Sequence, residues 1–332
     1  MFGSRPIGAA GRVCTLALTL LAMTSGARAE RRDGYFARLT AAVHAGLDQV
    51  IAARPPTLVP PVPVRVTWKP VRIGSLELGA PLVAMTAGDL DGDGGAELYV
   101  VTTREVIAVG LVGGKPKELG RVAFTGDPAA QRPRDAVGTA LIVERELVAA
   151  SSTWTQELRV SWNGKQLVGT AGDPGFLVCP GERLGLVPGR DHFGDLATSV
   201  YGVRCRADLV DKVGVPLRVR ATLAGTKLAI TVEKCRGAAC TPAGGHEYKD
   251  YGAAFEIADL DRDGTPEVIV TGAGAPGDPD AVKVITLGKD EKKGLYRKSF
   301  TGGVAAVAVA DGSVVAAVRL LGATRVDLWR LN

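Results

Sequence analysis

The chain has 332 residues, enough for one large domain or two ordinary ones. Gly (43) and Pro (19) are abundant and Met (3) is scarce, a composition that favours strands joined by turns over helical bundles. The formal net charge is +5. It falls to 5 − 3 = +2 without the three arginines of the leader described next, so neither nucleic acid nor a membrane surface is expected as a partner.

Residues 1–29 are predicted to be a secretory signal peptide. Two arginines precede an apolar run at 13–23, and the small-x-small cleavage pattern Ala-Arg-Ala at 27–29 precedes Glu30. The run is too short to span a bilayer of about 30 Å, and no later segment is apolar enough to do so. We therefore expect an exported protein, periplasmic or extracellular, with no membrane span.

Residues 30–63 are predicted to hold an amphipathic helix and a Pro-rich linker. Apolar residues recur at three- to four-residue steps across 34–53, which places them on one face of a helix. The pair Pro55-Pro56 ends that pattern, and the segment 55–64 is predicted to be stiff and extended.

Residues 64–332 show a different pattern, in which short apolar runs alternate with Gly, Asp, Asn or Pro. Runs such as 97–103, 106–112 and 227–233 have the length and spacing of strands. No long helical period occurs beyond residue 53, which disfavours an α/β fold.

The chain also repeats itself at an offset of 170 residues. The segment 83–94 matches 253–264, and both continue into a glutamate, an apolar strand and a further hairpin. Each unit is a four-stranded antiparallel meander of about 45 residues, the size of a propeller blade. We therefore predict an all-β fold, a β-propeller over residues 64–332 with a short N-terminal helix before it.

Two further segments show the same succession of short apolar runs, but with a tight turn in place of the acidic loop, at Glu144-Arg145 and at Asp311-Gly312. Asp-Gly is a favoured two-residue hairpin turn. Dividing the offset of 170 by four gives about 42 residues per blade, nearer the unit length than the value of about 57 from division by three. Six blades are therefore favoured, within a range of five to seven, and two of them are expected in residues 173–248.

The last three predicted strands, near 303–309, 313–320 and 324–331, form an incomplete blade. A strand within 65–78 is expected to supply the fourth and to close the ring without an exposed edge.

Four cysteines follow the leader: Cys179, Cys205, Cys235 and Cys240. An even number in an exported protein indicates disulfides. Cys235 and Cys240 bracket a short loop, so local pairing is the simplest choice and leaves Cys179 with Cys205. A metal site is the alternative, but no CxxC motif or nearby histidine pair accompanies these cysteines.

Two acidic loops, DLDGDGGAE (89–97) and DLDRDGTPE (259–267), place carboxylates at positions one, three, five and nine. Calcium takes six to eight oxygen ligands, and we predict one Ca²⁺ in each loop. The predicted side-chain ligands are Asp89, Asp91, Asp93, Glu97, Asp259, Asp261, Asp263 and Glu267, and the predicted carbonyl ligands are Gly95 and Thr265. Gly94 and Gly264 are expected to have positive φ. An EF-hand is excluded, because position twelve is a valine within a strand-like run in both loops.

At these loops the sequence resembles the FG-GAP/VCBS repeat family, whose DxDxDGxx(D/E) loops join the first two strands of a blade in integrin-like β-propellers. Two blades carry the resemblance. The Phe-Gly and Gly-Ala-Pro signatures of the family are largely missing, although GAGAP occurs at 272–276. The resemblance implies calcium-stabilised blades and a role in extracellular recognition or adhesion, with a protein or glycan as partner.

Signatures of an enzyme are sparse. His44, His192 and His246 do not form HExxH, and no GxSxG elbow or phosphate-binding glycine loop occurs. We therefore predict a non-enzymatic binding, adhesion or scaffolding module with no catalytic residue. The alternative is a secreted carbohydrate-active enzyme, because calcium-bearing propellers of this kind include polysaccharide lyases. Clustering of Asp191, His192, His246 and Glu247 in one pocket would favour that alternative.

Overall fold

A computed structural model gives the structure of the protein. The residues that it describes are Val43, 68–130, 133, 136–179, 181–188, 200–237, 239–274, 277–288, 294–319 and 325–332. The predicted signal peptide and Pro-rich linker lie outside the described residues, as does the predicted helix except for Val43. The chain divides into two units, Met1–Val62 and Pro63–Asn332, and every described strand belongs to the second.

The strands are numbered in chain order and fall into five four-stranded antiparallel sheets and one hairpin. The first blade consists of β2 (Leu82–Gly88), β3 (Glu97–Thr102), β4 (Glu105–Val112) and β5 (Lys115–Ala123), and the second of β6 (Gly138–Val143), β7 (Glu146–Ser151), β8 (Leu158–Trp162) and β9 (Leu167–Ala171). A hairpin follows, β10 (Gly175–Cys179) and β11 (Glu182–Gly185).

The remaining strands complete three more sheets. The third blade consists of β12 (Val203–Val210), β13 (Pro216–Ala224), β14 (Lys227–Arg236) and β15 (Ala239–Tyr248), and the fourth of β16 (Tyr251–Ala258), β17 (Glu267–Gly272), β18 (Asp280–Thr286) and β19 (Tyr296–Phe300). The fifth consists of β20 (Gly303–Ala310), β21 (Ser313–Arg319), β22 (Arg325–Leu331) and β1 (Pro70–Glu77). The first strands of neighbouring blades contact one another around the centre of the ring. The fold is therefore all-β, a five-bladed β-propeller.

Five blades lie within the predicted range, but they are one fewer than the favoured six. The interpretation of residues 173–248 as two blades is wrong, because this segment holds the hairpin β10–β11 and one blade. That hairpin, together with the ten-residue strands β14 and β15, lengthens the chain between the two repeats. The offset of 170 residues therefore spans three blade steps and not four.

The predicted ring closure is confirmed. Strand β1 pairs antiparallel with β22, from Pro70 opposite Leu331 to Glu77 opposite Arg325. The first and last described strands thus join within one sheet, which covers the edge that β22 would otherwise expose.

The core lies between the blades, which explains why the central strands are apolar on both faces. All six residues of β3 are buried. Leu98 and Val100 pack towards the fifth blade, while Tyr99 and Val101 pack towards the second. A strand covered on both faces has no solvent side, so its sequence is an almost continuous apolar run.

The hairpin β10–β11 lies between the second and third blades. Phe176 and Val178 pack with Val148 of β7 and with Val203 of β12. Both predicted disulfides are confirmed: Cys179–Cys205 links this hairpin to β12, and Cys235–Cys240 joins β14 to β15 near their turn. Within the described residues, no helix has the length and apolar character needed to cross a membrane.

Candidate metal centres

The four carboxylates of the first acidic loop converge. This loop joins β2 to β3, and one oxygen from each of its four acidic side chains lies within 4.8 Å of the others. The cluster comprises Asp89, Asp91, Asp93 and Glu97. Oxygens held about 2.3–2.6 Å from one calcium ion can be at most about 5 Å apart. The structure therefore brings together all four side chains predicted for this loop, at a spacing that fits a single ion.

Backbone N–H groups orient Asp89, the first carboxylate. Its Oδ1 accepts a hydrogen bond from Gly92 N (2.5 Å) and its Oδ2 accepts one from Gly94 N (3.0 Å). These two glycines have φ of 80° and 91°, in the left-handed region where glycine is favoured. The predicted positive φ is confirmed at Gly94, and also at Gly264 in the second loop, where it is 77°.

The next two carboxylates fold back onto the loop in the same way. Asp91 Oδ1 accepts from Asp93 N (3.0 Å), and Asp93 Oδ1 accepts from Gly95 N (2.7 Å). Such side chain-to-backbone bonds are typical of aspartate in tight turns. The loop is therefore shaped by its own hydrogen bonds, and each carboxylate keeps lone pairs for a cation. The carbonyl of Gly95 remains a predicted ligand.

Glu97 ties the end of the first loop to its start. It is the first residue of β3, and its Oε2 accepts from Tyr99 OH (2.8 Å) and from Leu90 N (3.3 Å). Burial raises the pKa of Glu97, and the charges of Asp91 and Asp93 raise it further. A bound cation would relieve that repulsion, which is the electrostatic condition for a metal ligand.

The second loop, between β16 and β17, repeats this construction. Oxygens of Asp259, Asp261 and Glu267 lie within 4.8 Å of one another. Asp259 Oδ2 accepts from Gly264 N (2.9 Å), as Asp89 accepts from Gly94. Glu267 Oε2 accepts from the backbone N of Leu260 (2.8 Å).

Asp263 is placed differently from its counterpart Asp93. It is not part of the second cluster. Its Oδ2 lies 3.5 Å from Lys212 Nζ, in the connection between β12 and β13 of the third blade. Its Oδ1 accepts from Thr265 N (2.6 Å). Asp263 and the carbonyl of Thr265 therefore remain predicted ligands that the structure does not group with the other three.

Glu97 and Glu267, the last carboxylates of the two loops, also differ. Burial raises the pKa of Glu267 to about 8, and the charges of the three aspartates of its loop add to the shift. The residue that matches Tyr99 in the second loop is Ile269, which has no hydroxyl group to donate. Glu267 therefore lacks one of the two hydrogen bonds that stabilise the charge of Glu97.

A cation from the neighbouring blade lies beside each loop. Arg145, in the β6–β7 turn, packs so closely on Gly92 that a Cβ there would collide with its guanidinium. Desolvation raises the pKa of Asp89, but the hydrogen bonds from Gly92 and Gly94 and the charge of Arg145 outweigh it, so the pKa is lowered. At the second loop, a Cβ on Gly264 would lie 2.5 Å from Lys212 N.

The sequence did not identify Tyr99, Arg145 or Lys212 as part of these sites. Tyr99 could have been found, because it lies two residues after Glu97 and so projects from the same face of the strand. Arg145 and Lys212 carry no such signal, because only the packing of adjacent blades brings them to the loops.

Of the four residues named for an alternative catalytic site, only His246 and Glu247 are among the described residues. His192 and Asp191 lie outside the described residues. The His246 ring packs 4.4 Å from the ring of Tyr248, centroid to centroid, and Glu247 pairs with Lys227 Nζ at 2.7 Å. Both lie on β15, the outermost strand of the third blade.

A large cavity opens on the face opposite the acidic loops. Strand β2 begins at this cavity with Leu82 and ends at the first acidic loop with Gly88, so the two features lie at opposite ends of the inner strands. The cavity has a volume of about 1020 Å³. Its described lining includes neither His246 nor Glu247.

Comparisons with known proteins add little to this geometry. No protein-family model and no curated protein matches the sequence. Among solved structures, the chain is similar to the crystal structure of Chaetomium thermophilum Raptor, with 10% identity and a TM-score of 0.42. The similarity covers 82% of this chain but only 30% of that one. A likeness at this level concerns the fold and carries no argument about function.

Proposed function

We propose that the protein is an exported calcium-binding β-propeller of the FG-GAP/VCBS type that acts as a binding, adhesion or scaffolding module for a protein or glycan. The observation that carries this proposal is the convergence of four carboxylates in one loop and three in the other. Both loops lie at the ends of inner strands, on the same face of the ring. A partner would bind at this face, which we name the metal-loop face and define by residues 89–97 and 259–267.

The donor set favours calcium over magnesium. Magnesium keeps several water ligands and usually binds through one or two carboxylates, whereas calcium accepts six to eight oxygens in a flexible shell. The first loop offers four carboxylates within nine residues, more than magnesium normally uses. Soft metals are disfavoured, because neither cluster contains a histidine or a cysteine.

Export is supported by the disulfides Cys179–Cys205 and Cys235–Cys240. Disulfides form and persist in oxidising compartments and are rare in the cytosol. Together with the predicted leader at 1–29, they favour a periplasmic or extracellular location.

A non-enzymatic role is the simpler proposal for this chain. The described lining of the large cavity includes the charged residues Arg104, Arg319 and Asp280. Asp280 is engaged with the backbone, because its Oδ1 accepts from Gly272 N (2.7 Å) and from Ala281 N (2.6 Å). No observation in the described chain favours the polysaccharide-lyase alternative.

Affinity capture tests the proposed role. The mature protein is immobilised and exposed to the native envelope fraction with about 1 mM calcium, the range in which extracellular modules bind it, or with a chelator. We expect one partner to be retained with calcium and released by the chelator. The double variant Asp91→Ala with Asp261→Ala should not retain it. The matched control Asp311→Asn alters an acidic residue in the equivalent tight turn and should retain it. Equal retention with and without calcium would contradict the proposal.

A further inference from the structure

The large cavity continues into the centre of the ring. Five residues line both its wide part and the narrow space beneath: Val83, Val137, Ala253, Ala254 and Ala305. The narrow space has a volume of about 30 Å³, room for about two water-sized groups. Among its described lining residues, Arg204 is the only charged one. We name this feature the funnel, with apolar walls and a cation at its narrow end.

Arg204 is held in place by three blades. Its Nη1 donates to Thr139 Oγ1 of the second blade (2.9 Å) and to the carbonyl oxygens of Tyr201 (3.2 Å) and Val203 (2.9 Å). Its Cζ lies 5.1 Å from the ring centroid of Phe255 of the fourth blade, within the range of a cation–π contact. The guanidinium is therefore fixed at the centre of the ring.

The other side of this guanidinium is unused. Within the described part of the chain, Nε and Nη2 of Arg204 make no hydrogen bond, and its guanidinium pairs with no carboxylate. Burial lowers the pKa of Arg204, and the charge of Glu256 compensates only in part. Arginine stays protonated in proteins, so this lining residue of the narrow space is a charged group with two unused donor atoms.

The charged residues at the wide end of the funnel, which we call its mouth, also bear on the charge of the ligand. Arg104 and Arg319 line the mouth together with Asp280, whose carboxylate is already bonded to backbone N–H groups. The mouth and the narrow end together favour an anionic ligand. The volume of about 1020 Å³ is at the upper end of the range for small-molecule sites.

We propose that the funnel binds an organic carboxylate, with its two oxygens on Nε and Nη2 of Arg204 and its apolar body against the small side chains of the walls. Paired N–H donors of a guanidinium match the two oxygens of a carboxylate. The narrow space, with room for about two water-sized groups, accommodates those oxygens. This site goes beyond the proposed function of the metal-loop face and does not depend on it.

NMR titration of the ¹⁵N-labelled full-length protein tests the site. The probes are acetate, butanoate and hexanoate, with 1-hexanol as a neutral probe of the same length as hexanoate. We expect saturable shifts at the amides of Ala253 and Ala305, with affinity rising by up to about fourfold per added methylene. Hexanol should bind at least about tenfold more weakly than hexanoate, because it carries no negative charge and has one oxygen, not two, to accept from the paired donors.

Three variants locate the ligand. Arg204→Met removes the charge and keeps most of the side-chain length, and Ala253→Leu fills the funnel while leaving Arg204 intact. Each should weaken hexanoate binding at least about tenfold. Arg297→Met is the matched control, because Arg297 is exposed on the outer strand β19, and it should bind hexanoate like the wild type. If Arg204→Met fails to fold, Ala253→Leu alone decides, since Ala253 is exposed in the cavity and tolerates a larger side chain.

Several results would overturn this proposal. These are the absence of saturable hexanoate binding, equal affinity for hexanol, and unchanged affinity in folded Arg204→Met or in Ala253→Leu. A chelator should leave hexanoate binding unchanged. Loss of binding on chelation would place the ligand at the metal-loop face and contradict an independent site. The calcium proposal is unaffected by any of the first three results, so the two proposals fail separately.

Discussion

In four of the five blades, the connection between the first and second strands takes one of two contrasting forms. In the first and fourth blades it is an acidic loop, at 89–96 and 259–266. In the second and fifth blades it is a two-residue turn, Glu144-Arg145 or Asp311-Gly312. All four turn residues have positive φ, between 48° and 73°, as the tight hairpin turns require.

This difference shows that the blades do not need a metal ion in order to pair their strands. The tight turns close the same hairpin through backbone conformation alone. The acidic loops place several carboxylates within one cluster, and like charges so close together repel. An ion would therefore order the loops locally, while strand pairing and apolar packing stabilise the ring. Perturbing the ring should accordingly lower the free energy of unfolding more than removing the ions does.

The largest effect is expected from removal of β1. A chain that starts at Gly79 loses Ile73, Leu76 and Leu78 from the core and exposes the edge of β22. Burial of each such side chain contributes about 1.5–3 kcal/mol, so the sum is comparable with the whole stability of a domain. We expect insoluble or unfolded protein, measured by soluble yield and thermal unfolding. The control is a chain that starts at Trp68, and equal melting of the two chains would refute ring closure by β1.

Loss of a disulfide should have the next largest effect, and the two disulfides should differ. Cys179–Cys205 closes a loop with a sequence separation of 26, whereas the separation is 5 for Cys235–Cys240. Loop-closure entropy predicts about 3.5 kcal/mol for the first and about 2 kcal/mol for the second. Paired Cys→Ser variants of each disulfide, compared by denaturant unfolding, check the order. A greater loss for the Cys235 and Cys240 variant would contradict it.

Removal of calcium should have a smaller effect. With dissociation constants of about 10⁻⁴–10⁻³ M and about 1 mM calcium, each site adds about 0.4–1.4 kcal/mol to the free energy of unfolding. Chelation should lower the melting temperature by a few degrees and expose the acidic loops to protease, with the strands intact by circular dichroism. Asp91→Ala with Asp261→Ala should show no calcium-dependent shift. A chelator that unfolded the whole ring would show that the ions stabilise more than the loops.

The smallest effect is expected at the ion pair between β1 and β22. The hydrogen bond from Arg72 and its charge lower the pKa of Asp327, although desolvation opposes them. An acid with a lowered folded-state pKa stabilises the protein above its unfolded-state pKa of about 3.9. That contribution disappears as the pH falls through the lower folded-state pKa. Asp327→Asn should therefore melt slightly below the wild type at pH 7, and the difference should shrink as the pH falls below about 3.9. A difference that stays constant as the pH is lowered would refute this origin.

Much of the fold could be predicted from local pattern. The apolar runs, the tight turns at Glu144 and Asp311, the closure by β1 and both disulfides all follow from residues near one another in sequence or from simple counting. The number of blades did not follow, because an offset of 170 residues divides plausibly by three or by four. Only the structure shows that the hairpin β10–β11 is inserted between two blades.

The candidate sites, like the fold, could be predicted from the local sequence only in part. The spacing of Asp89, Asp91, Asp93 and Glu97 is a property of the loop itself, so the sequence predicts the cluster. The position of Asp263 depends on Lys212, which is distant in the chain and reaches the loop through the neighbouring blade. Arg204 was missed for the same reason, since Thr139 and Phe255, which help to hold it, lie on other blades.

The most direct test of the account is calorimetric titration of calcium into the metal-free protein. We expect two ions per chain for the wild type, one for either single variant, Asp91→Ala or Asp261→Ala, and none for the double variant. Dissociation constants should lie near 10⁻⁴–10⁻³ M. A wild type that binds no calcium, or a double variant that still binds two ions, would contradict the assignment of both loops.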